Sequence, residues 1–359
     1  MVLREALPAE VARWDELVSR FENHRLVHRS AWIRSLEAAG CGRPVYLVFE
    51  KSGEIVGCLP GLLSTIGPLR LFGSPLPGWQ TVSMGPASAT DCISTGEIFS
   101  ALVPFLEQRY GVHHIEVMYT GLDHQSMAAL GFRGEPVPTF RAPLFPGDEA
   151  RMMKALKDNA RRNVRRGIKL GLVVRFEHDE RFVDEHYDQL REVYLRGGHA
   201  VPFAKRRVLE CFRQLHASGN LLAVSVYLPD GTTNIATGTF LLDGRELLLW
   251  MWAHRTQYRW YRPTELMTWT VMRRAMEAGC RTFDLMGRGD FKKKFGAELD
   301  ERKYRWVRSR YKWLDLLRTW AEGGYRWQQA ARGRLARLLL RPSAVGGGPT
   351  EDHETDGDP

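Results

Sequence analysis

Apolar and polar positions alternate most clearly over 221–254, LLAVSVYLPDGTTNIATGTFLLDGRELLLWMWAH. Three stretches rich in β-branched, apolar and aromatic residues are separated by Pro229-Asp230-Gly231 and by Asp243-Gly244. Asp-Gly between such stretches is a strong hairpin signal, so three consecutive strands are expected. In the last of them Trp250 and Trp252 alternate with Leu249, Met251 and Ala253, so both faces are apolar and the strand should be buried. Over 264–279 the period changes. Leu266, Met267, Thr270, Val271, Arg274 and Ala275 recur at helical spacing, Pro263-Thr264 opens the segment and Gly279 closes it. A short strand over 281–286 follows.

The first half repeats this order of elements. Two strands over 44–63 meet at Ser52-Gly53, a Gly/Pro-rich loop spans 69–88, a helix is expected over 96–110 and a strand over 113–119. The first 21 residues read as an amphipathic helix. The repeat lies in element order and not in residue identity. It predicts an α/β (α+β) chain of two similar units, 1–150 and 151–315, each a mixed, mostly antiparallel sheet flanked by helices. A basic helix over 151–170 opens the second unit. Residues 316–341 form a basic amphipathic helical extension, and 342–359, rich in Gly, Pro and acids, should be disordered.

Charge sharpens the picture. The net charge is +9, and the last nine residues carry five acids, which leaves the rest of the chain near +14. Such an excess suits an anionic partner: phosphates, nucleic acid or an anionic membrane surface. Lys154, Lys157, Arg161, Arg162, Arg165, Arg166 and Lys169 recur at spacings of three and four, which places most of them on one broad helical face. Like charges so placed repel unless something anionic answers them. The plainer alternative is a solvated face. The segment 309–341 mixes tryptophans with arginines; it reads either as helices lying on an anionic membrane or as a helix docked over the second unit.

Other chemistry is excluded. There is no GxxxxGK[ST], no GxSxG and no HExxH, so nucleotide hydrolases, serine hydrolases and zinc proteases fall away. His113-His114 lies in a strand and points to opposite faces. Cys41, Cys58, Cys92, Cys211 and Cys280 are odd in number and far apart, which fits reduced thiols and no metal. The chain has no run of 18 apolar residues and no signal-peptide pattern. A cytoplasmic placement is expected, with the inner membrane face as a possible contact.

Three stretches together resemble a known family. LKDNARRNVRRGIKLG (156–171) resembles the Arg-rich helix that begins the second half of CelD-like and Fem-type (FemAB-like) acyltransferases of the GNAT superfamily. YRPTELMTWTVMRRAMEAGCRTFDLMGRGDFKKKFGAEL (261–299) resembles their C-terminal signature, and LRLFGSPLPGWQ (69–80) a loop of their first half. The likeness covers about 30–310. It implies tandem GNAT-like domains and transfer of an acyl group to an amine. The amine would belong to a cell-envelope or polysaccharide precursor or a small metabolite. The leading expectation is an acyl-CoA donor; the rival is an aminoacyl-tRNA donor, as in the Fem branch, with RNA and not DNA as partner. A non-catalytic binding protein with a degenerate GNAT fold is the third reading.

The resemblance also assigns roles. A backbone amide of the strand at 247–253 would polarise the donor carbonyl. The donor's pyrophosphate would sit on the helix start at Arg262, Thr264, Glu265 and Leu266. There Thr264 stands where many relatives have glycine, and the Glu265 charge opposes a pyrophosphate. Phe291-Lys292 matches a Phe-Lys pair, with Lys292 stabilising the oxyanion or holding the donor's anionic end. Asp290 would orient that lysine or take a proton, or else merely cap a turn. His254 would be the general base, or else a satisfied histidine. Arg162 and Arg165 would hold substrate phosphate, and Phe291 would line the substrate site.

Overall fold

Residues 1–89, 91–315 and 318 are described in this computed structural model. Among them the strand-forming stretches give, in chain order, β1 (Val2–Glu5), β2 (Arg43–Lys51), β3 (Glu54–Ile66), β4 (Leu69–Ser74), β5 (Ala87–Ser88), β6 (His114–Thr120), β7 (Arg133–Pro136) and β8 (Thr139–Pro143). The second half supplies β9 (Val173–Glu177), β10 (Leu221–Tyr227), β11 (Asn234–Asp243), β12 (Glu246–His254), β13 (Thr282–Asp284), β14 (Glu298–Asp300) and β15 (Lys303–Ser309). One sheet runs β1-β2-β3-β4-β6-β15-β7 with β5 beside β3, and the other runs β14-β8-β13-β12-β11-β10-β9. Neighbours are antiparallel except β4–β6 and β12–β13. Helices flank each sheet, so the architecture is the expected pair of mixed, mostly antiparallel units.

The hairpins form where the turn residues place them. Ser52 and Gly53 both take positive φ (55° and 81°) between β2 and β3, as a tight turn matching strand twist requires. The 96–110 segment becomes a helix at Thr95–Tyr110, capped by the Ser94 hydroxyl, which accepts from the Glu97 amide. The 264–279 segment becomes the helix Pro263–Glu277, with Gly279 at φ 84° just past its end.

Three expectations change. The N-terminus does not begin as a helix: Val2–Glu5 pairs with β2, and helices start only at Pro8. The basic segment is two helices, Glu149–Ala155 and Asp158–Lys169, because Leu156 and Lys157 are extended. At that break the Lys157 amide donates to the Lys294 carbonyl (2.9 Å), so a long-range contact overrides helix propensity. The unit boundaries at 150 and 315 do not follow the sheets. β8, from the first unit, inserts between β13 and β14, and β15 crosses back to lie between β6 and β7. Each brings apolar residues to its new host: Phe140 and Ala142 join the second core, Trp306 the first. The expected extension at 316–341 and tail at 342–359 lie outside the described residues, apart from Arg318.

A shared apolar cluster joins the halves, with Trp14, Trp32 and Leu36 meeting Phe182, Val208 and Trp250. Polar contacts fix its edges. Arg25 pairs with Asp243 (2.8 Å) and with Glu246, and the Leu26 amide donates to Asp243 (2.6 Å). Trp250 donates its indole N–H to the Gln80 carbonyl (2.8 Å).

Candidate active site

The site begins as a defect in the second sheet. β12 and β13 pair only over Glu246–Leu248 and Thr282–Asp284. Past Asp284 the chain turns away through Met286 (φ 50°), Gly287 (φ 59°) and Gly289 (φ 145°). Glycine suits the last two because L side chains rarely adopt such angles. The Asp284 carboxylate holds this exit by accepting from the Met286 amide (2.7 Å) and the Thr139 hydroxyl. Among the described residues β12 is thereby left without a strand neighbour on that side from Leu249 onward, while β11 still pairs its other edge. A bulge against β11 makes Trp250 the extra residue, which re-aims the strand.

The gap opens into a cleft of about 1390 Å³. Leu249 to Trp252 form its floor. Leu190, Val193, Tyr194 and Phe203 make one apolar wall, joined by Gln80 from the first half. The opposite side is cationic: Lys157 and Arg166 from the basic helix and its start, Arg262, Arg288 and the lysines 292–294. The acids on the lining are Glu265 and Asp290.

The lysine run forms one 3-10 helix, Asp290–Phe295, and not an extended path. Three residues per turn send its side chains apart. Phe295 is buried in the core, while Phe291 is half-buried with its ring 6.0 Å from Trp252. Lys292 is buried (7% exposed) and donates to the carbonyls of Met286 and Arg288 (3.2 Å to the latter). Burial pushes its ammonium down to about 8, against the opposing pull of Asp284. Lys293 pairs with Asp290 (2.8 Å) at the exposed edge. Lys294 donates to Glu265 (3.2 Å).

The helix Pro263–Glu277 points its N-terminus at the cleft, behind Arg262 in the left-handed conformation. Its first turn is already occupied. The buried Glu265 carboxylate (2% exposed) accepts from Asn163 (2.9 Å), Lys294 and the Thr264 hydroxyl (3.0 Å). A negative charge at a helix N-terminus is well placed electrostatically.

The structure thus brings Lys292, Asp290, Phe291, Arg262 and Glu265 together on one cleft. Thr264 serves Glu265, and Leu266 packs into the core. Arg162 and Arg165 are exposed on the outer side of the basic helix; Arg166 is the arginine that lines the cleft. His254 ends β12 away from the lining, with Arg196 3.5 Å from its Nε2. Arg166, Lys157, Asn163 and Gln80 were not singled out from sequence as site residues. Arg166 had a signal of its own: it stands one helical turn after Arg162. Asn163 and Gln80 had none, since their partners are far along the chain.

Residues 154–312 match the family model described as an acetyltransferase (GNAT) domain. Among solved structures, the chain is similar to FemX, at 14% identity and a TM-score of 0.67 over 85% of this chain and 97% of that one. It is also similar to a tandem GNAT protein from the clavulanic acid biosynthesis pathway (14%, TM-score 0.54, 86% and 97% covered). L-PGS from Bacillus licheniformis is likewise similar (11%, TM-score 0.50, 87% and 94% covered). None of the curated proteins matches the chain significantly in sequence. The fold is that of a GNAT-superfamily acyltransferase. It has the tandem arrangement, with the catalytic-domain architecture of acetyl- and acyltransferases in its second half.

Proposed function

We propose that the protein transfers an aminoacyl group from an aminoacyl-tRNA to an amine. One observation carries this choice of donor. The helix N-terminus that would cradle a coenzyme A pyrophosphate is filled by the buried carboxylate of Glu265, itself satisfied by Asn163, Lys294 and Thr264. A pyrophosphate there would meet a like charge at close range. The cleft mouth is nevertheless cationic, with Lys157, Arg166, Arg262 and Arg288, and suits a phosphodiester chain approaching from outside. The resemblance to Fem-type enzymes and the likeness of fold to FemX support the same reading.

In this reading the ester carbonyl lies in the gap beside β12, where the amides on the edge facing the gap have no strand partner. Those amides and the Lys292 ammonium stabilise the oxyanion as the amine attacks. Collapse breaks the ester, the ribose oxygen leaves, and it takes up the proton that the amine gives away. The amine enters along the apolar wall; an envelope precursor is the acceptor class that the resemblance favours. A second reading keeps acyl-CoA as donor and rests on the match to the acetyltransferase domain model.

Unfolding in the presence of each donor separates the two. A ligand at 100 times its Kd adds roughly 2.7 kcal/mol of stability. Stabilisation by charged tRNA, weakening steeply with salt, and transfer of the labelled aminoacyl group to amines are expected. Stabilisation by acyl-CoA alone would overturn the reading.

A further inference from the structure

Trp260 is 68% exposed, on the turn that leads into the helix Pro263–Glu277. The fold makes little use of a ring left so far in water, since an exposed indole forgoes its burial free energy. It is held all the same. The Arg166 guanidinium lies 4.1 Å from the ring centroid, and Arg166 also lines the cleft. The basic helix packs closely on its neighbour here: a Cβ at Gly167 would sit 3.1 Å from the Leu266 side chain, which would have to give by a few tenths of an ångström. Arg259 and Arg262 flank Trp260 in sequence, and Arg162 stands one turn before Arg166; all three are exposed. The result is an exposed aromatic surface, backed by a guanidinium, with further exposed arginines close to it in sequence or along the basic helix, at the edge of the site. Aromatic rings interleaved with arginines are how proteins hold single-stranded nucleotides, bases on the rings and phosphates on the cations.

We propose that Trp260, backed by Arg166, is a stacking platform for a nucleobase of the donor, with Arg162, Arg259 and Arg262 taking the adjoining phosphates. The proposal rests on the reading above that the donor is a nucleotide carrier. Two sources share this chemistry: the single-stranded 3′ end of a tRNA and the adenosine of coenzyme A.

The test uses the full chain and four probes. Two are hairpin RNAs, one blunt and one ending in the single-stranded CCA common to tRNA; the others are coenzyme A and 4′-phosphopantetheine. Because Trp260 is largely exposed, Trp260→Ala leaves the fold intact. It should weaken the tailed hairpin about tenfold and the blunt one hardly at all. Trp260→Phe should retain most of the affinity. Arg162→Gln should weaken the tailed hairpin more than the blunt one and lower its salt slope by about one. If Trp260→Ala binds both the tailed hairpin and coenzyme A as wild type does, or weakens both hairpins equally, the platform is overturned, although tight end-dependent RNA binding would still leave the donor reading standing. If instead Trp260→Ala weakens coenzyme A and not 4′-phosphopantetheine, while the hairpins bind alike, the platform stands and the aminoacyl-tRNA reading falls.

Discussion

Replacing Lys292 by methionine should slow transfer sharply and yet relieve the folded state of a burden that depends on pH. The side chain is buried (7% exposed), and its pKa falls from 10.5 to about 8. Below pH 8 both folded and unfolded chains hold the proton, and the folded state bears the whole cost of a desolvated cation. At 1.36 kcal/mol per unit this is about 3 kcal/mol. Between pH 8 and 10.5 the folded chain releases the proton while the unfolded chain keeps it, so stability rises with pH. The linkage integral assigns about 2 kcal/mol of that rise to the interval from pH 7 to 9.5. Urea unfolding of wild type and Lys292→Met, followed by tryptophan fluorescence at half-unit pH steps, measures it. The wild-type curve should climb relative to the variant by that amount. The two hydrogen bonds from Lys292 offset the curves vertically but do not change their relative slope. Parallel curves from pH 7 to 9.5 would refute the depressed pKa and the desolvation cost assigned to this lysine. In an activity assay the same variant should lose roughly two to three orders of magnitude in turnover.

Three further outcomes are expected. Gly296→Ala puts a Cβ 2.8 Å from the Ala155 carbonyl oxygen at φ 76°, and should destabilise by about 2 to 3 kcal/mol in urea while shifting the lysine turn and lowering turnover. Glu265→Gln removes the charge at the helix start, so coenzyme A affinity by calorimetry should rise severalfold; no change would show that Glu265 does not guard that position. His186 is fully buried beside Thr237 and its imidazole is pushed down to about 3 by burial, so the folded chain cannot take the proton that the unfolded chain accepts below pH 6.5. Wild type should therefore lose roughly 2 to 3 kcal/mol more than His186→Gln between pH 7 and 4.5, and equal losses would count against it.

Much of this was legible before any coordinate. Hairpins at Asp-Gly and Ser-Gly turns, the helix opened by Pro263 and the exit through Gly287 and Gly289 are local signals, each set by a few neighbouring residues. The grouping of Lys292, Phe291 and Arg262 followed from the resemblance to Fem-type acyltransferases and from no signal in spacing alone. What stayed hidden depends on distant pairings. Nothing in TFRAP or KYRWVRS says which sheet will accept it, because alternation specifies a strand and not its partner. The break at Leu156 is decided by the Lys294 carbonyl, more than a hundred residues away. Glu265 reads as a repulsive acid in isolation; only the fold brings Asn163 and Lys294 to answer it. Arg162 and Arg166 are alike as letters, and the rotation of the helix against Leu266 decides which one enters the cleft.

The exchange of β8 and β15 has a mechanical consequence. Tandem lobes joined by a plain linker can swing open like a clamshell. Here each lobe has lent the other a strand. Parting them means stripping β8 from between β13 and β14, or β15 from between β6 and β7, with the loss of whole ladders of hydrogen bonds. A cut at residue 150 would likewise leave both halves short of a strand, so neither should fold when made alone. The cleft in the second lobe, which Gln80 of the first also lines, is accordingly a fixed slot. Substrates must thread into it, and whatever gating the enzyme has must come from side chains and surface turns such as the one bearing Trp260.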